Sequence, residues 1–231
     1  TVGSQAFTVQ VRNLGEDPWE RIRLLSGLMP ATPLRGSYQT ASLSSFDLST
    51  PRDIISLWIR RSVANGIKSF WICDYQENME RFRYFAQIAK AHGAEIVTSL
   101  MYTSSPLHTD DHWVEKTRLI ADAKDYVDRI MISDESGVIT PEQTRRLVSI
   151  VQRNCDGIPL EFHCHCNSGL APLCYLEAVR AGNPLNGTYD CPAKYRIGNR
   201  VFNNHETSGR GLISFRKAIQ KCPDDARRLE L

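Results

Sequence analysis

Two histidines one residue apart, His163 and His165, are the residues of this chain best spaced to act together. They sit in Pro159-Leu160-Glu161-Phe162-His163-Cys164-His165-Cys166-Asn167-Ser168-Gly169, where a short apolar run precedes small turn residues. The order predicts a strand that ends in a turn before a helix. Side chains two apart on a strand share a face, so the imidazoles project together and Cys164 and Cys166 project to the opposite side, toward a helical layer. Paired imidazoles at a strand end present two nitrogens to one divalent metal. A pair of buried, hydrogen-bonded histidines would have the same spacing, and a metal needs further ligands from elsewhere in the chain.

The elements around this strand follow a regular rhythm. Strands are predicted to open near residues 67, 95, 127 and 158, and helices with apolar positions at helical spacing lie between them. One helix starts at Asp17-Pro18 and another at Thr140-Pro141-Glu142-Gln143, where Thr140 is the N-cap and Gln143 sits at the capping-box position. Thr50-Pro51 is expected to cap a helix carrying Ile55, Ile59 and Val63. Thr8-Val9-Gln10-Val11 has strand-like alternation, and 30–48 reads as a long loop. Apolar strands alternating with amphipathic helices predict a parallel sheet covered by helices, in either a doubly wound sheet or a (β/α)8 TIM barrel. Polar residues at successive strand ends favour the barrel, where they meet at one face: Asp74, Tyr102 to Ser105, Ser133-Asp134-Glu135 and His163-x-His165. The expected division is a barrel over 1–187 and an extension over 188–231 with one helix near 211–220.

Composition narrows the function classes. The chain has 231 residues, 42% hydrophobic and 23% charged, with a net charge of +2. That balance argues against nucleic-acid and membrane-surface binding. No apolar run approaches the roughly 18 residues of a membrane span, and the first residues lack a signal peptide's apolar core. Seven scattered cysteines without a CxxC pair fit reduced thiols in a cytoplasmic protein.

Several motifs in order resemble the carboxyltransferase domain of biotin-dependent enzymes: pyruvate carboxylase, the oxaloacetate decarboxylase alpha subunit and the transcarboxylase 5S subunit. They are Glu16-Asp17-Pro18-Trp19-Glu20-Arg21, Met29-Pro30-Ala31-Thr32-Pro33-Leu34-Arg35-Gly36, Tyr102-Thr103-Ser104-Ser105-Pro106-Leu107-His108-Thr109, Ile132-Ser133-Asp134-Glu135-Ser136-Gly137, His163 to Ala171, and Val201-Phe202-Asn203-Asn204-His205-Glu206. The resemblance implies a TIM barrel with a helical C-terminal extension, although several family segments are not visible in this sequence. It implies carboxyl transfer between biotin and a 2-oxo acid, or the reverse decarboxylation. A divalent metal (zinc, manganese or magnesium) would be held by His163 and His165. Arg35 would bind the substrate carboxylate and Gln5 would hydrogen-bond the substrate. Asp134 would act at the site or behind a histidine, and Tyr102, Thr103, Ser105, Trp71 and Asp74 would shape the pocket. Biotin would arrive on a carrier domain or partner chain, and a homo-oligomer is expected.

The sequence also departs from the pattern. The family's carboxylated lysine falls at Ser133, a supporting arginine at Trp71, and the first-strand metal aspartate at Val2. With those ligands replaced, Asp134, Asp74 or Glu135 would have to substitute. The departures keep open a biotin-independent lyase or aldol/Claisen-type enzyme of the wider HMG-CoA lyase-like barrels, or an altered homologue retained as a scaffold subunit.

Overall fold

The computed structural model describes residues 2–40, 50–74 and 78–181, the backbone alone for 2–5, and the backbone of four short strands between residues 188 and 214. The chain divides into two compact units, Thr1–Gly182 and Asn183–Leu231. The first unit is a parallel sheet with helices between its strands. Its elements are β1 (Val2–Gly3), α1 (Ser4–Val9) running into a wide helical turn (Gln10–Leu14), α2 (Pro18–Leu28), β2 (Leu34–Gln39), α3 (Arg52–Ala64), β3 (Ile67–Cys73), α4 (Met79–Ala91), β4 (Glu95–Met101), α5 (Asp110–Ala121), β5 (Arg129–Asp134), α6 (Pro141–Asn154), β6 (Leu160–Cys164) and α7 (Ala171–Arg180).

The strands pair in the order β1-β2-β3-β4-β5-β6, every pair parallel. A doubly wound sheet would reverse direction at a switch point. Strictly sequential order is that of a barrel wall, so the barrel reading holds. Alternation gives the sheet two faces. The outer one carries Tyr38, Phe70, Ile72, Ile96, Leu100, Ile130 and Ile132, all essentially inaccessible. Phe70 meets Phe85 of α4 edge-on with ring centroids 5.7 Å apart, and Tyr38 packs on Trp58 of α3 at 3.9 Å. Burying each such side chain contributes about 1.5–3 kcal/mol, and this layer fixes which residues are left facing inward.

The helix starts follow local chemistry. Asp17 accepts from the Trp19 amide at 2.9 Å, and Thr140 and Gln143 form the reciprocal capping box at 3.2 and 3.0 Å. At α3 the N-cap position is Pro51, within the expected Thr50-Pro51 pair, with no side-chain cap.

Four expectations are corrected. Thr8 to Val11, read as a strand, is helical. Phe7 packs against Trp19 at 4.8 Å and Trp58 at 5.2 Å, and that packing overrides a short alternating pattern. The presumed loop at 30–48 contains β2, whose small polar residues hide an alternating burial pattern. Gly36 is needed there, because a Cβ would lie 2.7 Å from the Tyr38 ring. Residues 41–49 of the same stretch lie outside the described residues. Gly211–Ser214, expected to open a helix, is a strand paired antiparallel with Thr188–Cys191. In the same unit Lys194–Ile197 pairs with Arg200–Asn203. The rest of 215–220 and His205 lie outside the described residues. Cys166, expected to be a core residue, is exposed in a turn with φ of 61°. The strand ends at Cys164 and the chain reverses there, so alternation no longer applies. No helix among the described residues is long and apolar enough to cross a membrane.

Candidate metal centre

β5 and β6 pair with Ser133 opposite His163 and Asp134 opposite Cys164. Ser133 and His163 share the inward face of the two strands, and Glu135 and His165, each one residue past its strand's end, meet them at the carboxyl edge of the sheet. The His163 and His165 rings are 5.0 Å apart and nearly perpendicular. His165 Nε2 lies 2.9 Å from Glu135 Oε2, and the Ser133 hydroxyl donates to Glu135 Oε1 at 2.9 Å. One ligand atom each from Glu135, His163 and His165 lie within 4.8 Å of one another.

His163 Nε2 is buried and has no hydrogen-bond partner among the described residues. An unpaired buried ring nitrogen is costly unless something binds it. Burial pushes the His163 pKa below the ordinary histidine range. Glu135 opposes that shift, His165 adds to it, and Asp134 opposes it more weakly. The ring is therefore held in the neutral form that coordinates metals. Two imidazoles and a carboxylate on neighbouring strands form a donor set suited to a borderline divalent ion, so the residues fit a metal.

Two backbone loops fix these side chains. The His165 amide donates to Asp134 O at 3.1 Å, and the Ser168 amide to Gly137 O at 3.0 Å. Asn167 Nδ2 donates to Ser136 O at 3.0 Å. Gly137 has φ of 64°, and a Cβ on it would lie 2.4 Å from the Asn167 nitrogen. Only glycine permits both the left-handed backbone and that approach.

Trp71 belongs to the same site. Its ring meets His163 edge-on at 5.0 Å, and its Nε1–H donates to Ser99 Oγ. Cys73 lies beyond it with Sγ 3.7 Å from the same hydroxyl, and burial pushes its thiol to about 12. The structure therefore gathers Trp71, Ser133, His163 and His165, with Glu135 as the carboxylate among them.

Other expected site residues lie elsewhere. Asp134 is fully buried on the opposite face: its Oδ2 accepts from the Ile139 amide at 2.8 Å and from Cys164 Sγ at 3.3 Å. It holds the loop between β5 and α6 without its carboxylate touching an imidazole. Asp74 pairs with Thr40 at 2.5 Å and Arg81 at 3.6 Å on the helix side. Tyr102, Thr103 and Ser105 line a cavity of about 330 Å³ with His108, Trp113 and Arg146, and none of the metal-centre residues borders it. The Gln5 side chain lies outside the described residues.

Arg35 is the largest displacement. It is the second residue of β2, at the amino edge of the sheet, level with Ser69 and Glu95. Its guanidinium forms a fork on Glu161 at 2.6 and 3.1 Å, donates to Ser69 at 3.1 Å and lies 3.5 Å from Glu95. Arg129 completes the network, 2.7 Å from Glu95 and 3.5 Å from Glu161. Sequence reasoning missed this network. Its signal was strand parity, since Arg35, Ser69, Glu95, Arg129 and Glu161 all fall near the starts of successive strands on the inward face.

A sequentially ordered parallel sheet with a histidine pair at its carboxyl edge defines an α/β barrel-wall protein with a metal-centre geometry. The chain belongs to the HMGL-like family, whose pattern matches residues 52–185. It is 34% identical over 180 residues to a pyruvate carboxylase subunit of Methanocaldococcus jannaschii, covering 78% of this chain and 31% of that protein. Identity to the corresponding pyruvate carboxylase subunit of Methanothermobacter thermautotrophicus is 30% over 193 residues, covering 84% of this chain and 33% of the relative. The chain thus spans about a third of the length of these relatives. The carboxyl transferase domain of Rhizobium etli pyruvate carboxylase, solved with pyruvate, superposes with a TM-score of 0.71 at 24% identity, covering 79% of this chain and 31% of that one. That likeness establishes the shared barrel fold.

Proposed function

We propose that this chain carries the metal-site wall of a carboxyltransferase or decarboxylase that moves a carboxyl group between carboxybiotin and a 2-oxo acid, such as pyruvate or oxaloacetate, through an enolate. The observation that carries the reading is the imidazole pair at the carboxyl edge, with His163 Nε2 buried and unpartnered, in a chain related to pyruvate carboxylase subunits. His163 and His165 would hold zinc, manganese or magnesium. When bound, such an ion supplies Lewis-acid stabilisation to a substrate oxyanion. Trp71 packs edge-on against His163, and Gln5 would hydrogen-bond the substrate. Biotin comes from a carrier domain or partner, a homo-oligomer is expected, and the cytoplasm is the expected compartment. Residues 1–187 act as barrel and 188–231 as an extension.

A second reading rests on charge. Both arginines of the inner face, Arg35 and Arg129, are held by Glu95 and Glu161 at the amino edge. The charged neighbours that act on His163 are Glu135, His165 and Asp134, with no lysine or arginine among them. If no cation completes the site beyond the described residues, it suits a biotin-independent C–C lyase or aldol/Claisen-type reaction, or a scaffold subunit with altered chemistry, better than carboxylate-binding chemistry.

The test is to incubate the full-length protein with oxaloacetate in the presence and absence of biotin and to measure pyruvate release, alongside streptavidin capture of a co-purifying carrier. Biotin-dependent release supports carboxyl transfer. Biotin-independent cleavage of a hydroxyacyl substrate to a ketone or aldehyde moves the assignment to the lyase. Neither activity leaves the scaffold.

A further inference from the structure

We propose that Glu135 is the third protein ligand of this metal centre and that Ser133 is the positioning residue that aims it. The inference rests on the reading of His163 and His165 as metal ligands.

Three observations carry it. First, Glu135 is the carboxylate of the cluster: its oxygen, His163 and His165 supply three ligand atoms within 4.8 Å. Of the three carboxylates that could have substituted for missing ligands, Asp134 turns to the helix side and Asp74 pairs with Thr40 and Arg81. Second, the two oxygens of Glu135 have separate partners. Oε1 accepts from Ser133, whose side chain is fully buried, while Oε2 faces His165 Nε2 at 2.9 Å. A hydroxyl fixed on one carboxylate oxygen aims the other, which is how residues behind a metal ligand set its geometry. Third, His163 Nε2 is buried and unpartnered beside this pair. A cation seated among the three groups would satisfy that nitrogen and take the place of the hydrogen shared by His165 and Glu135.

The charge arithmetic agrees. Two neutral imidazoles leave a dication's full charge in a half-buried site, whereas one carboxylate cancels half of it and still leaves coordination positions open. Ser133 is too short to ligate past Glu135 and is instead hydrogen-bonded to it, so the pair Ser133 and Glu135 performs together what a single long ligand on β5 would do alone.

The experiment strips the full-length protein with a chelator and titrates it with Zn²⁺ or Mn²⁺ by calorimetry, with Co²⁺ visible absorption as a readout of the ligand set. Glu135→Gln is expected to weaken binding by about a hundredfold or more and to change the Co²⁺ spectrum, while Ser133→Ala weakens binding by about tenfold without removing a ligand. Glu161→Gln, which removes a carboxylate from the same face at the far end, should leave affinity unchanged. If Glu135→Gln fails to fold, the Ser133→Ala spectrum and affinity decide the matter. Affinity within about twofold of the unmodified protein in both variants overturns the inference while leaving the histidine pair standing. No binding by the unmodified protein overturns the metal reading as well. Glu135-dependent binding without carboxyl transfer removes the proposed reaction and leaves this ligand assignment intact.

Discussion

The two ends of the inner sheet face use similar residue types to opposite ends. At the amino edge, Arg35, Arg129, Glu95, Glu161 and Ser69 satisfy one another across five strands. Charges are matched two against two, and the side chains are about a quarter to two-fifths exposed. At the carboxyl edge, Glu135, His163 and His165 converge, and among the described residues no lysine or arginine is paired with them and His163 Nε2 has no hydrogen-bond partner. Leaving a buried polar atom unpaired costs about 1–3 kcal/mol, and a bound ion is one of the partners that can pair it. The contrast is between a network whose charges satisfy one another and a cluster that fits the proposed metal. The proposed metal ligands lie at the carboxyl edge, the edge where barrel enzymes carry their chemistry.

The contrast breaks most sharply at the histidines. A His163→Ala/His165→Ala double variant should lose divalent metal by more than about a hundredfold, beyond the loss seen when residues behind a ligand are removed. Its thermal midpoint without metal should stay near that of the parent, because both rings sit at the strand end rather than in the core. Metal content by mass spectrometry and a melting curve test this together. Retained metal would transfer the site elsewhere.

Arg35→Ala should do the reverse. It leaves Glu161 and Glu95 competing for Arg129 in a half-buried setting, at a cost of about 2 kcal/mol, while metal stoichiometry is unchanged. Urea unfolding and metal titration on the same preparation measure both. A drop in metal affinity without a drop in stability would put Arg35 back at the substrate.

The amino-edge network also has a pH signature. Burial raises the Glu95 pKa, but the Arg129 hydrogen bond, with further help from Ser69 and the Arg129 and Arg35 charges, more than offsets it, so the carboxyl is held below its usual range. A depressed folded-state pKa contributes stability above the unfolded carboxylate's pKa, and that contribution is lost as pH falls through the folded value. Stability should therefore decline on acidification from about pH 5 downward, and Glu95→Gln should flatten that part of the curve. An unchanged acid-unfolding profile in Glu95→Gln would show that the network's pairing is not energetically coupled.

Much of this was legible in the sequence because it depends on periodicity. The strands expected near 67, 95, 127 and 158, observed at 67, 95, 129 and 160, the helix caps at Asp17 and Thr140, and the pairing of His163 with His165 follow from spacing and local hydrogen bonding. What escaped depends on tertiary neighbours. β2 is polar and glycine-containing, and it is a strand because Tyr38 reaches a pocket of aromatic rings from α3, β3 and α4. Arg35 lies within a motif that resembles the carboxyltransferase family, yet its position along β2 places it at the other end of the sheet. A motif gives the residue type, and the register decides which edge that residue occupies. Asp134 and Glu135 are neighbours in sequence, yet Asp134 at the end of β5 holds the Ile139 amide while Glu135, one residue past the strand, meets His165.

The finest test of the contrast compares two serines. Ser69 accepts from Arg35 Nε at 3.1 Å and hydrogen-bonds Glu95, while Ser133 donates to Glu135 at 2.9 Å, and both are buried. Each hydroxyl contacts charged side chains from a neighbouring position on the same face, so removing either deletes a similar bond. Ser69→Ala takes one contact from a network whose ionic members still hold each other, and should cost only about 0.5–1.5 kcal/mol with no change in metal affinity. Ser133→Ala frees a carboxylate that has no other anchor among the described residues apart from His165, so its effect should appear in metal affinity rather than in stability. Calorimetric metal titration and urea midpoints of the two variants side by side separate the cases. Equal stability losses and equal metal affinities in both would mean that the two edges are the same kind of network.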